Sequence, residues 1–162
     1  MKFNIFENNV LTRLVIFICF LTIISCLSYA SPRQPTPAEV DNIRKETKIV
    51  FLNFLQLWQE ERYFELYEYG KRHSRNQLTI EEFATRMVEL DWVPVGFLPG
   101  KIPEVNYLYR TLLYVDAEIL FRHKSFMDLQ FSKKQSFLLL KEKEEWRFDL
   151  LQMIRAPFYS PK

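Results

Sequence analysis

After Cys26 the chain has no cysteine, and the two it carries, Cys19 and Cys26, sit in one apolar stretch near its start. Residues 31–162 therefore hold together without disulfides, on which small exported domains commonly rely. They are long enough to bury a core unaided. Histidine is almost missing too. His73 and His123 lie far apart, with no ligand-spaced Cys, His or acid beside them, so no metal site is predicted. The 3 glycines, Gly70, Gly96 and Gly100, are too scattered to cradle a phosphate, and no Gly-x-Ser-x-Gly elbow activates a serine. Charge of one sign is also lacking, with 22 Lys and Arg against 20 Asp and Glu. A nucleic-acid binder shows a basic groove, so that class falls away. No cofactor is expected.

What is present first is an apolar start. Lys2 and Arg13 precede the run LVIFICFLTII from Leu14, which stays mainly apolar as far as Ala30. This is the charged region and hydrophobic region of an export signal. A bilayer span asks for roughly 20 apolar residues, and the run at 14–30 is short for it. Cleavage after Ala30 is the expectation, because Ser28 and Ala30 put small residues three before and directly before Ser31. Two other fates stay open: lipidation at Cys26, since Ile23-Ile24-Ser25-Cys26 is similar to a bacterial lipobox, and retention as an anchor. Residues 1–30 read as signal peptide or membrane anchor, 31–36 as a proline-rich linker, 37–156 as a single domain and 157–162 as a tail.

The domain opens with a strong helix start: Thr36 as N-cap, Pro37 in the first turn and Glu39 completing a capping box. Val40, Ile43, Thr47, Val50, Phe51, Phe54 and Trp58 then recur at steps of three and four, an amphipathic helix. Tyr63, Phe64, Leu66 and Tyr67 suggest a second short helix, with Gly70 as a left-handed C-cap. Residues 71–78 read as a polar loop. Thr79 and Glu82 form a second capping box, opening a helix with Phe83, Ala84, Met87 and Leu90 inward. The prolines and glycines of 91–103 predict an irregular crossover.

From there the period changes from 3.6 to 2. Leu113, Val115, Ala117, Ile119 and Phe121 alternate with Tyr114, Asp116 and Glu118, a half-buried strand. Met127, Leu129 and Phe131 continue the alternation. A turn is expected at 132–135, a strand at 136–141, a charged hairpin tip at 141–145, and a last strand in which Trp146, Phe148 and Leu150 face one way. Helices followed by antiparallel strands give an α+β domain, N-terminal helices on a curved antiparallel sheet.

The long first helix ending at Trp58, the short helix in ERYFELYEYG, the TIEEF start of a third helix and the closing EWRFDL strand together resemble exported bacterial members of the NTF2-like (cystatin-like α+β cone) superfamily. The resemblance implies a conical cavity between helices and sheet. It also implies a bacterial periplasmic or envelope location and a homodimer through the sheet. Its steroid-isomerase-like members use a Tyr and acids in that cavity, for which Tyr114, Asp116 and Glu118 are the nearest candidates. Alternation points these three outward, toward water or a base such as Arg147, so no residue is assigned a catalytic role. The set Phe51, Phe54, Trp58, Tyr63, Phe64 and Tyr67 reads as core, with Phe51, Phe54, Trp58, Tyr63 and Tyr67 as the candidate lining of any cavity.

The functional expectation is an envelope-associated, non-catalytic domain that binds a small apolar ligand or an envelope protein partner, touching the membrane through its N-terminal segment alone. The alternatives are a membrane-anchored secretion-system assembly component and a small isomerase or dehydratase.

Overall fold

The computed structural model describes residues 34–155. The readings placed on 1–33 and on 156–162, including Cys26, lie outside them. Four helices come first: α1 (Pro37–Gln59), α2 (Tyr63–Glu68), α3 (Arg72–Gln77) and α4 (Ile80–Glu89). Five strands follow, β1 (Trp92–Phe97), β2 (Glu104–Tyr109), β3 (Leu112–His123), β4 (Gln130–Glu142) and β5 (Glu145–Phe148), and a short α5 (Leu150–Arg155) closes the order. The helices pack on a curled antiparallel sheet that forms a half-barrel, the geometry of an NTF2-like cone. Among the described residues no helix is long and apolar enough to cross a membrane.

Both capping boxes form. Thr36 Oγ1 accepts from the Glu39 amide at 3.3 Å while Glu39 Oε2 accepts from the Thr36 amide at 2.7 Å, and Thr79 and Glu82 repeat the exchange. At its other end α1 stops without a glycine. Glu61 takes a left-handed φ of 57°, and the Arg62 amide reaches back to Leu57 O at 2.9 Å.

Strand β3 is the spine of the sheet. β4 pairs along one edge of it, while β1 and β2 share the other edge, β1 opposite 119–123 and β2 opposite 112–116. Register shifts between Pro94 and Gly96, and between Tyr107 and Tyr109, bend these two short strands and add to the curl. Gly96, at φ 141°, supplies a backbone angle at the first bulge that other residues rarely adopt.

The core lies between α1 and the inner sheet face. Leu113, Val115, Ala117, Ile119 and Phe121 all turn inward and are buried, as the alternation predicts. Phe51, Phe54 and Trp58 meet them from α1. The Phe54 ring stacks on Phe148 at 3.8 Å, Phe51 lies 5.2 Å from Phe137, and Trp58 meets Phe121 edge-on at 5.7 Å.

Several expectations are corrected. Residues 72–77 are helical, because Lys71 and Ser74 are tied to Asp149 and that anchors a turn the local sequence does not favour. The whole of β1 lies inside the stretch expected to be irregular, and β2 is not among the strands that the sequence predicts. The tip of the β3–β4 hairpin holds Met127 and Leu129, which are exposed rather than alternating. No turn occurs at 132–135, since β4 runs unbroken against β3 through Ser132, Lys133, Lys134 and Gln135. Leu150 begins α5 instead of extending the last strand. Phe64 is 59% exposed and no part of the core. Gly70 has no positive φ. It is needed instead for closeness, since a Cβ there would lie 2.3 Å from Leu150 Cδ1 and 2.9 Å from Tyr67 O.

Candidate functional site

The outward face of the sheet is assembled by register. Opposite Asp116 lie Glu104 on β2 and Ser136 on β4; opposite Tyr114 lie Asn106 and Leu138; opposite Glu118 lies Lys134. β1 and β2 leave 117–118 of β3 without a strand neighbour on that edge, and the connection through Lys101 and Ile102 runs there. The result is an open hollow of about 430 Å³ lined by Lys101, Glu104, Asp116, Glu118, Lys134 and Ser136 among others.

The structure brings Asp116 and Glu118 together here, half-buried and on the side away from the helices. Each is already engaged. Asn106 Nδ2 donates to Asp116 Oδ2 at 2.6 Å, and the Ser136 hydroxyl donates to its other oxygen. Glu118 accepts from the Ser132 hydroxyl at 3.4 Å and lies 3.9 Å from Lys101 Nζ. Arg147 is not among their partners. Its guanidinium turns to Glu145 and to the Glu68 carbonyl. Tyr114, 37% exposed, lies on the same face two residues from Asp116. Carboxylates held by hydrogen-bond donors on an open face suit polar recognition.

The five rings named as a cavity lining are placed differently from one another. Phe51, Phe54, Trp58 and Tyr63 are buried in the core cluster. Tyr67 is half-buried, and its hydroxyl donates to Leu78 O at 2.7 Å and Arg75 O at 3.2 Å, pinning α2 to the end of α3. Burial pushes the Tyr67 phenol up, and burial with the Glu61 charge does the same to Tyr63. Lys124 completes that corner. Its Nζ donates to Val88 O at 2.9 Å at the end of α4, lies 3.7 Å from Glu61 and sits over the Tyr63 ring. These are ties between elements rather than a reactive group.

Lys101 and Ser136 line the hollow and Asn106 reaches Asp116 from β2, and sequence reasoning assigns none of them to a site. A signal existed for one. Glu104-Val105-Asn106-Tyr107 alternates as a strand does, but the preceding prolines masked it. Among the described residues no group of three His, Cys, Asp or Glu is placed to hold a metal. A scan of protein-family models gives no match to this chain, and a search of curated proteins gives none either.

Proposed function

We propose that this is an exported, envelope-associated domain without catalysis, which docks a protein partner on the outward face of its sheet. The observation that carries the reading is the filled interior. The space between α1 and the sheet, where an NTF2-like cone would hold a ligand, is taken up by Phe51, Phe54, Trp58, Phe121, Phe137 and Phe148 in mutual contact. Apart from the Tyr63 phenol and the indoles, the buried polar side chains among the described residues are Thr47 and Ser74, neither of which is an acid or base. The outward face, in contrast, offers Tyr114 beside paired acids and hydroxyls. That mixture of one aromatic anchor with a polar surround is common at protein interfaces. The apolar start of the chain supports export. If that segment is retained or lipidated, the same face belongs to a tethered assembly component. A second copy of the domain, meeting face to face, is the simplest partner.

The test is site-specific photocrosslinking in intact cells, with a benzophenone amino acid replacing Tyr114 and, as a control, Asn53 on the exposed side of α1. A discrete product from position 114 alone is expected, and a product of twice the monomer mass identifies the second copy. In parallel the purified domain is titrated with a fluorescent fatty acid. Stoichiometric uptake would show that the interior opens for an apolar ligand, and the docking reading would be abandoned.

A further inference from the structure

We propose that the outward stripe of α1 rests on an anionic lipid bilayer. Lys45 lies three and four residues before Lys48 and Ile49, which lie four and three before Leu52, so the four form one strip along the helix. It lies to one side of the buried row Thr47, Phe51, Phe54 and Trp58. Ile49 is 61% exposed and Leu52 39%. The nearby charges divide into two kinds. Arg44 is held by Asp41 at 3.5 Å, and Glu46, three residues before Ile49, lies 3.8 Å from Lys141. Lys45 and Lys48 have no ion-pair partner among the described residues. Beside them lies an open hollow of about 390 Å³, walled by Arg44, Lys45 and Lys48 from α1 and by Pro103, Glu104 and Asn106 from the start of β2. It presents three cations and one acid.

Unpaired lysines flanking two large apolar side chains on one helix stripe match the needs of a surface between water and lipid. The apolar side chains enter the boundary of headgroups and acyl chains, and the lysine stems lie along it with their ammonium groups on lipid phosphates. The position of the stripe in the chain favours a bilayer over an acidic protein. The apolar run ends at Ala30, residues 31–36 span at most about 20 Å when extended, and Lys45 lies about 12 Å further along α1. A segment that stays in the membrane would therefore hold the domain within reach of the headgroups. To that extent the inference rests on the envelope-associated reading. The stripe adjoins the outward sheet face, and Glu104 lines the hollows of both.

The experiment uses residues 31–162, which contain every buried residue among the described ones, from Thr47 to Met153. Sedimentation with vesicles of phosphatidylcholine containing about one third phosphatidylglycerol is compared with phosphatidylcholine alone. Binding is expected only with phosphatidylglycerol, and it should fall in high salt. Lys45→Glu with Lys48→Glu should reduce partitioning at least tenfold, since each lysine near an anionic surface contributes about fivefold. Ile49→Ser with Leu52→Ser should weaken binding while leaving its salt dependence intact. All four side chains are at least partly exposed, so circular dichroism should report a normal fold. No preference for the anionic vesicles, or full binding by the lysine variant, would overturn the proposal. So would a lipid-free dimer lost in the lysine variant, because the stripe would then be a protein interface. The tested domain lacks residues 1–30, so stripe-dependent binding can be found even if the mature protein proves to have no tether.

Discussion

Lys71 and Asp149, 78 residues apart in sequence, meet with Nζ 2.8 Å from Oδ2, and the bond fastens the start of α3 to the start of α5. Asp149 Oδ1 also accepts from the buried Ser74 hydroxyl at 2.9 Å and from the Leu151 amide at 3.1 Å. Burial works to raise the carboxyl, but Lys71, Ser74 and the Leu151 amide together hold it below the ordinary aspartate value. Replacing Asp149 by Ala should cost about 2 kcal/mol, as expected for charge-assisted hydrogen bonds and a lost helix-start acceptor. The sign of the pH effect follows from the lowered folded value. The contribution is fully present above the unfolded pKa of about 3.9 and is lost as pH falls through the folded one. The difference between urea melts of the two proteins should therefore shrink as pH is lowered from about 4, and a difference that did not shrink under acid would show that the ion pair is not its source.

Gly70 tests packing rather than charge. Gly70→Ala drives a methyl into Leu150, which is fully buried and has nowhere to swing, so a loss of about 1–3 kcal/mol is expected. Leu150→Ala alone should cost about 2–5 kcal/mol through the cavity it leaves. The two together should cost less than their sum, because the new methyl occupies part of that cavity. Additive losses in a double-mutant cycle would mean the two residues do not share space.

The hairpin between β4 and β5 holds a stabilising substitution in reserve. Lys143 and Glu144 adopt φ values of 50° and 68°, the left-handed pair of a type I′ turn, where Asn and Gly belong. Lys143→Asn with Glu144→Gly should stabilise the domain by about 1 kcal/mol, read as a higher urea midpoint with an unchanged slope. The weak pair between Glu144 and Lys141 at 3.4 Å is lost in the exchange, but Glu144 is almost wholly exposed and that pair contributes little.

Processing of the N-terminus is settled by mass. The intact protein from cells should have lost residues 1–30, or residues 1–25 with an acylated Cys26. A mature species that still begins at Met1 would defeat cleavage and leave the anchor.

The two capping boxes and the alternation of β3 were legible because each is a local pattern repeated over several turns or pairs. The outward facing of Asp116 and Glu118 followed from that alternation alone. β4 was misread at Ser132-Lys133-Lys134-Gln135 because these residues are weak strand formers. Their backbone is held by β3 across the whole hairpin, and β5 covers only 139–142, so polar side chains are tolerated along the rest. The partners of the acids were not legible at all. Asn106 and Lys101 reach Asp116 and Glu118 only once β2 and its preceding connection are placed beside β3, a fact of topology rather than of neighbouring residues.

Because β3 carries both β1 and β2 on one edge and β4 on the other, no sheet exists until it has been made. Helix α1 leaves the ribosome long before its partners. Phe54 waits for Phe148, and Trp58 for Phe121. At about 5–20 residues per second, that delay is on the order of ten seconds for Phe54. During it the aromatic row of α1 can meet Tyr69 and Phe97 but not yet the rings of β3, β4 and β5, so its packing is completed only when the last strand arrives.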